Sequence, residues 1–246
     1  MQLLLNCSSG VPITPAEQIT EASNPRRICH YSHPRSGMTA PSELSPSELS
    51  ATSGPAISGP ATDAPVATGP AGRALAQPME AALVEALQNH LTMERQASAA
   101  YFAMAIWFAE RELRGFSHFF KLEAHSEQEH AATFADYLIA RGQTVQLQDL
   151  SAPRQQWSTP EQILAASFQM EADVTASLQL IYAMAERASD LRTTVFLDPI
   201  VDAQVDAENE FAHLLGRVRF CQGQPAALLI VDGELSDDKH SPAKLA

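Results

Sequence analysis

The sequence has 246 residues, with 16 Lys and Arg against 29 Asp and Glu, and so a formal net charge of −13. Such a chain is expected to repel nucleic acid and anionic membrane surfaces and to attract cations, although the charge alone could serve only solubility. Cys7, Cys29 and Cys221 form neither a disulfide framework nor a close metal-binding pair, so a reducing, cytoplasmic setting is expected. No apolar run approaches the roughly 20 residues of a membrane span.

The first part of the chain, residues 1–78, is predicted to be disordered. Eleven of the 16 prolines lie in it, and Gly-Pro-Ala occurs three times, at Gly54, Gly59 and Gly69. Small residues and prolines cannot bury enough apolar surface to offset the entropy of ordering the chain. The folded part is therefore expected to comprise residues 79–246, which carry almost all of the net charge.

Four long stretches rich in helix-forming residues follow the tail. They run over residues 79–112, 116–141, 160–189 and 192–220. Arg114-Gly115 is expected to break the first stretch from the second, and Gly142 to end the second. Thr159 is expected to cap the third helix, with Pro160 in its first position. Pro199 predicts either a late start of the fourth helix at Asp198 or a kink there.

The lengths of these helices and of their connections predict an all-α four-helix bundle with one long crossover. Short turns make the first two helices antiparallel, and likewise the last two. The loop over residues 143–158 is long enough to run the length of the bundle. The apolar segment that follows Pro225 is expected to form a short fifth helix, although a strand also fits its pattern.

One carboxylate on each of three helices, together with a histidine, forms the candidate site. Glu127 and His130 share a helix face at a spacing of three residues. Glu94 and Glu127 lie equally far from the first turn, so they should face each other across the hairpin. Glu171 and Gln204 occupy the equivalent places in the second hairpin. Inward-facing carboxylates with a Glu-x-x-His motif are typical of bundles that bind two iron ions, so we interpret these residues as metal ligands.

The chain resembles the ferritins over roughly residues 79–235, and among them the bacterial non-haem ferritins, most of all those of cyanobacteria. The resemblance lies in Met93-Glu-Arg-Gln-Ala-Ser with Tyr101, in Glu127-Gln-Glu-His130, in Phe168-Gln-Met-Glu171, and in Phe196-Leu-Asp-Pro with Gln204-Val-Asp-Ala. It implies a ferritin-like fold and a hollow 24-subunit homo-oligomeric shell. It also implies a ferroxidase that oxidises Fe(II) with dioxygen and stores the ferric mineral inside.

The resemblance also implies roles for particular residues. One iron would bind Glu94, Glu127 and His130, and the other Glu127 and Glu171, with Gln204 holding a water nearby. Tyr101 would hydrogen-bond to a ligand and donate an electron. Asp198 would line a channel through which iron enters the shell; on the residues alone, it could equally belong to a solvated helix face and cap the helix before Pro199.

Two departures from related patterns narrow the prediction. Ala207 stands where a second Glu-x-x-His motif would place its histidine, so the second iron should bind more weakly, as suits iron in transit. Gln128 stands where haem-containing bacterioferritins have a methionine, so no haem is expected. The alternative is a di-iron oxidase or peroxide-reducing enzyme that keeps its iron as a cofactor. His90, one turn before Glu94, is expected to be an ordinary surface or core residue.

Overall fold

Five α-helices make up most of the part of the chain that the computed structural model describes, residues 66–236. They are α1 (Ala81–Ala109), α2 (Arg114–Ala140), α3 (Pro160–Arg187), α4 (Leu191–Phe220) and α5 (Pro225–Ser236). The predicted all-α fold is confirmed, and the strand alternative for the last segment is wrong. Among these residues, no helix is both long enough and apolar enough to cross a membrane.

The turns of the two helical hairpins are built in the same way. Glu112 (φ 58°) and Ser189 (φ 54°) each adopt the left-handed conformation that ends a helix. The next residue in each turn closes it, because its N–H donates to a carbonyl five positions earlier: Leu113 to Phe108 and Asp190 to Ala185. The two turns are as far apart in the sequence as Glu94 and Glu171 are. The predicted pseudo-symmetry of the hairpins is therefore present in the backbone.

Gly115 does not break the chain as predicted, because α2 begins at Arg114 and includes it. The turn is made by Glu112 instead. A Cβ atom at Gly115 would lie 1.8 Å from the carbonyl oxygen of Asp232 in α5. The side chain of Asp232 accepts a hydrogen bond from the backbone N–H of Phe116 (2.9 Å). Gly115 therefore allows α5 to approach closely enough for Asp232 to satisfy a free N–H at the start of α2.

Replacing Gly115 with alanine is expected to weaken the docking of α5. The added methyl group would displace a backbone carbonyl, and overpacking of this kind costs about 1–3 kcal/mol or more. Gly233→Ala is the matched control, since a Cβ there meets no atom within 4 Å and alanine favours the helix by about 1 kcal/mol. Urea unfolding and amide hydrogen exchange in α5 measure both effects. Equal stability of the two variants would contradict this packing.

Helix α4 starts before Pro199, so the predicted late start at Asp198 is wrong, and Asp198 is not the cap. The cap is Asp190, whose side chain accepts a hydrogen bond from the N–H of Thr193 (3.3 Å). Thr193 and Leu197, in the first two turns, are fully buried. Packing of these turns offsets the loss of one hydrogen bond at Pro199, which costs about 3 kcal/mol in a helix interior. At the start of α3, the predicted cap by Thr159 and the place of Pro160 are confirmed.

The long crossover between α2 and α3 lies along α1. Gln88 accepts a hydrogen bond from the N–H of Gln146 (2.6 Å), and Arg95 donates to the carbonyl of Gln148 (3.0 Å). Further along, the indole N–H of Trp107 donates to the carbonyl of Trp157 (3.1 Å). These contacts follow one another in sequence order on both segments. The loop therefore spans the bundle lengthwise, as predicted from its length.

Residues 66–78, the end of the segment predicted to be disordered, lie against the bundle. Thr68 and Ala74 form an antiparallel bridge, and Arg73 donates to the carbonyl of Ile139 in α2 (3.0 Å). A side chain at Gly69 would clash with the carbonyl oxygen of Gly142, 2.2 Å from its Cβ position. The prediction of disorder for residues 1–65 concerns residues outside the described part, and it stays a prediction.

The interior consists of two apolar clusters. Near the α1–α2 turn, the cluster includes Phe108, Phe120 and Phe211, which are at most 1% exposed. Near the other end, it includes Leu87 and Phe134. Each fully buried side chain of this size contributes about 1.5–3 kcal/mol of transfer free energy. A layer of carboxylates lies between the two clusters.

A buried ion pair joins the end of α2 to the turn before α4. Nη1 and Nη2 of Arg141 donate to Asp190, at 2.9 Å and 2.7 Å. The hydroxyl of Tyr137 contacts both Arg141 (2.6 Å) and Thr193 (2.7 Å). Burial alone would raise the pKa of Asp190, but the hydrogen bonds and positive charge of Arg141 outweigh it, so the pKa is lowered. The pair therefore favours the ionised carboxylate in the folded state.

The contribution of Asp190 to stability should disappear in acid. Because its folded pKa lies below the unfolded value of about 3.9, its contribution is fully present above about pH 4. It is lost as the pH falls through the folded pKa. We expect the difference in unfolding free energy between the wild type and Asp190→Asn to be constant from about pH 5 to 7 and to shrink below about pH 4. Urea unfolding across this range measures it; a difference that grows in acid would contradict the assignment.

Candidate metal centre

Three buried carboxylates form the layer between the two apolar clusters. Glu94, Glu127 and Glu171 are 2%, 5% and 5% exposed. Within residues 66–236, none of them forms an ion pair with Lys or Arg; their charged neighbours are histidines and one another. Burying unpaired carboxylates costs several kcal/mol each. Bound cations would offset this free-energy cost, and the carboxylate oxygens are suitable ligands for them.

Glu94, Glu127 and His130 lie close enough to hold one metal ion. A ligand atom of each lies within 4.8 Å of the others. Nδ1 of His130 is 3.0 Å from Oε2 of Glu127, one turn away on α2, and about half of the imidazole is exposed. The hairpin therefore brings Glu94 of α1 to the Glu-x-x-His motif of α2, as their equal distances from the turn predicted.

Glu171 lies beside this group, with both of its oxygens hydrogen-bonded. The hydroxyl of Tyr101 donates to Oε1, and the amide of Gln204 donates to Oε2 (2.9 Å) and also to the backbone carbonyl of Glu171 (3.2 Å). Tyr101 itself is completely buried. Gln204 was expected to hold a water, and here its side chain contacts the carboxylate directly. A metal ion that binds Glu171 must replace or share one of these hydrogen bonds.

The protonation of the centre is typical of a site that binds cations. Burial raises the pKa of Glu127 to about 8, with a contribution from the neighbouring carboxylate of Glu94. The hydrogen bond to Glu127 raises the pKa of His130 to about 9. Burial raises the pKa of Glu171 as well. Near neutral pH and without metal, Glu127 and His130 therefore keep protons, which compensate part of the negative charge of the carboxylates. Metal binding is expected to release these protons.

Two other groups keep the charge states that ligand binding needs. Burial would raise the pKa of Glu94, but its interactions with His90, Glu127 and His130 lower it overall. Burial and the charges of Glu171 and Glu127 raise the pKa of Tyr101 well above its usual value. Glu94 is thus available as an anionic ligand, while Tyr101 remains a neutral hydrogen-bond donor.

His90 is a residue whose contact with the centre the sequence did not predict. It is 1% exposed, so it is a core residue, and its Nε2 lies 2.9 Å from Oε1 of Glu94. Its Nδ1 lies 2.8 Å from the hydroxyl of Ser177 on α3. The spacing of four residues from Glu94 was the one available signal, because it places both side chains on the same helix face.

Asp198, the candidate for the route of iron into a shell, lies apart from the centre. It is exposed on α4, and its Oδ1 accepts a hydrogen bond from the hydroxyl of Tyr182 on α3 (3.0 Å). Asp202 and Asp206 are also exposed on the same helix. The acidic stripe thus faces outward from the subunit, and its role in iron passage stays a prediction.

Comparison with known proteins identifies the family. The Ferritin-like domain of the Ferritin family matches residues 84–221, which include every candidate ligand. The chain belongs to the ferritin family. This membership supports iron storage and metal binding, in agreement with the resemblance seen in the sequence. The iron-binding roles of the individual side chains remain predictions.

The relatives are ferritins of bacteria and archaea. A bacterial non-heme ferritin of Staphylococcus haemolyticus is 29% identical over 129 residues, which cover 52% of this chain and 78% of the relative. A bacterial non-heme ferritin of Bacteroides fragilis is 25% identical over 153 residues, covering 62% and 95%. The open-pore ferritin of Archaeoglobus fulgidus superposes with a TM-score of 0.63 at 28% identity, over 64% of this chain and 98% of that ferritin. The narrower likeness to cyanobacterial ferritins stays a prediction.

Proposed function

We propose that the protein is a ferroxidase that stores the iron it oxidises. The observation that supports this most strongly is the layer of three buried carboxylates, which have no Lys or Arg partner among residues 66–236, within a ferritin-like bundle. Fe(II) is the substrate: the first ion binds Glu94, Glu127 and His130, and the second binds Glu127 and Glu171. Glu127 is assigned to both ions because a carboxylate has two oxygens, and a bridging carboxylate reduces the repulsion between two cations.

The oxidation requires two iron ions at once. Each Fe(II) gives up one electron, and dioxygen takes up the two electrons with two protons to leave as hydrogen peroxide. Tyr101 donates its hydroxyl proton in a hydrogen bond to Glu171 and so orients this carboxylate toward the second ion. The hydrogen bonds from Gln204 and Tyr101 to Glu171 must be replaced or shared when the second ion binds. This ion is therefore bound more weakly and dissociates more easily.

Several copies of the chain would enclose the stored mineral. The single subunit exposes large apolar side chains on more than one helix: Phe102 of α1 is 54% exposed, Leu180 of α3 57% and Phe220 of α4 88%. Exposed apolar surface of this kind is typical of contacts between subunits. We therefore propose the 24-subunit shell that ferritins form, with Asp198 on the route by which iron enters. Size-exclusion chromatography tests this: elution as a monomer or dimer would contradict a shell.

Stepwise aerobic addition of Fe(II) to the purified protein tests the function. Storage predicts that ferric absorbance continues to grow far beyond two irons per chain while the solution stays clear. Saturation at two irons per chain would contradict storage and favour the alternative, a di-iron oxidase or peroxide-reducing enzyme that retains its metal. No uptake at all would contradict both.

A further inference from the structure

The two outer carboxylates of the centre are held in different ways. Both oxygens of Glu171 accept hydrogen bonds, from Tyr101 and Gln204. Glu94 contacts His90 through Oε1 alone (2.9 Å), and its Oε2 has no hydrogen-bond partner among the described residues. Glu171 is thus held by two neutral side chains, whereas Glu94 interacts with His90 and with the carboxyl group of Glu127.

His90 is itself fixed from two further directions. The hydroxyl of Ser177 on α3 lies 2.8 Å from Nδ1. The ring of Phe134 on α2 packs against the imidazole, with 4.4 Å between ring centroids. A carboxylate can only accept a hydrogen bond, so the proton of a neutral imidazole lies on Nε2, and Nδ1 accepts from the Ser177 hydroxyl. The series of contacts Ser177–His90–Glu94 therefore links α3 to α1, with the 2.9 Å contact between Nε2 and Oε1 made as a close polar contact that is not aligned as a hydrogen bond.

The series of contacts from Ser177 through His90 to Glu94 has a counterpart on the other side of the carboxylate layer. Tyr101, two turns after Glu94, donates to Glu171 and so also joins α1 to α3. His90, one turn before Glu94, makes another α1–α3 connection through Ser177. The layer is bounded along the bundle by these two connections, and each of them holds one of the outer carboxylates.

We propose that His90, held by Ser177, is a positioning residue that orients Glu94 as the pre-formed ligand of the first metal ion. This inference rests on the proposed function of the centre. A carboxylate already held in one orientation loses less conformational freedom when it binds. Glu171 must replace or share a hydrogen bond when it binds a metal ion. The two sites consequently fill in order, first at Glu94, Glu127 and His130, then at Glu127 and Glu171.

An anaerobic titration with Co(II), followed by its visible absorption, measures the two binding steps separately. His90→Leu should weaken the first step about 10–100-fold, the usual effect of losing a residue that orients a ligand, and the second step less than about threefold. His90→Gln offers an amide N–H in place of Nε2–H and should recover most of the affinity. Ser177→Ala should give an intermediate loss. Phe134→Leu, which alters the packing around the ring and neither hydrogen bond, is the control.

The outcomes separate this inference from the function on which it rests. An unchanged first step in His90→Leu, with two steps in the wild type, overturns the role of His90 and leaves the centre intact. Equal losses in both steps, shared by Phe134→Leu and accompanied by a lower unfolding temperature, show a merely structural role and also overturn it. Failure of the wild type to bind Co(II) overturns both proposals. Selective loss in His90→Leu with recovery in His90→Gln supports the assignment.

Discussion

Replacing Glu127 with alanine is expected to abolish rapid Fe(II) oxidation. In the proposed centre, Glu127 is the carboxylate assigned to both ions, together with Glu94 of α1 at the first and Glu171 of α3 at the second. Loss of residues that merely orient a ligand costs about 10–100-fold, so loss of a shared ligand should lower the initial rate by at least about 100-fold. Stopped-flow absorbance after aerobic mixing with two Fe(II) per chain measures this rate.

Glu129→Gln provides the matched control for that experiment. Glu129 lies two positions further along α2, is exposed and contacts His125 at the surface. Its replacement removes a carboxylate of the same length from the same helix and should leave the rate unchanged. The metal-free Glu127→Ala protein should also be at least as stable as the wild type, because a buried carboxyl is removed. An unchanged oxidation rate in Glu127→Ala would refute the shared-ligand role.

Replacing the buried Arg141 with methionine should destabilise the fold more than the loss of any other buried charge among the described residues. Asp190 would remain buried without the two hydrogen bonds from Arg141, and breaking a buried ion pair costs about 3–5 kcal/mol. The cap of α4 would be disturbed at the same time, because Asp190 serves both purposes. Urea unfolding at neutral pH and fixed protein concentration measures the loss.

Arg219→Met is the control for the ion pair. Arg219 donates to Glu161 at 2.8 Å, but both side chains are about half exposed. Exposed pairs contribute about 0–1 kcal/mol, so this variant should differ little from the wild type. The double variant Arg141→Met with Asp190→Asn should recover part of the stability by removing the unpaired charge. Equal effects of Arg141→Met and Arg219→Met would contradict the importance of burial.

Features that depend on one hairpin could be predicted from the sequence. Glu94 and Glu127 are joined by a short turn, so their distances from that turn fix their pairing. The same reasoning gave the equivalence of Glu171 and Gln204, and the two turns indeed have the same geometry. Local capping by Thr159 was predictable for the same reason, since all the atoms concerned lie within one turn of the chain.

Features that join distant segments could not be predicted. Contact between His90 and Ser177 depends on the axial register of α1 against α3, and the long crossover leaves that register open. Glycine usually interrupts a helix, so Gly115 suggested a break. Its actual role, which is to let the backbone of Asp232 pack closely against α2, depends on where α5 docks. Pro199 suggested a helix start because its local cost is visible in the sequence, whereas the packing of Thr193 and Leu197 that offsets this cost is not.

Anomalous diffraction at the iron edge, from crystals soaked anaerobically with Fe(II), tests the central claim most directly. Two iron peaks are predicted in each subunit, both in the carboxylate layer. The stronger should lie among Glu94, Glu127 and His130, and the weaker between Glu127 and Glu171. Iron found only on the exposed aspartates of α4, or no iron in the carboxylate layer, would contradict the claim.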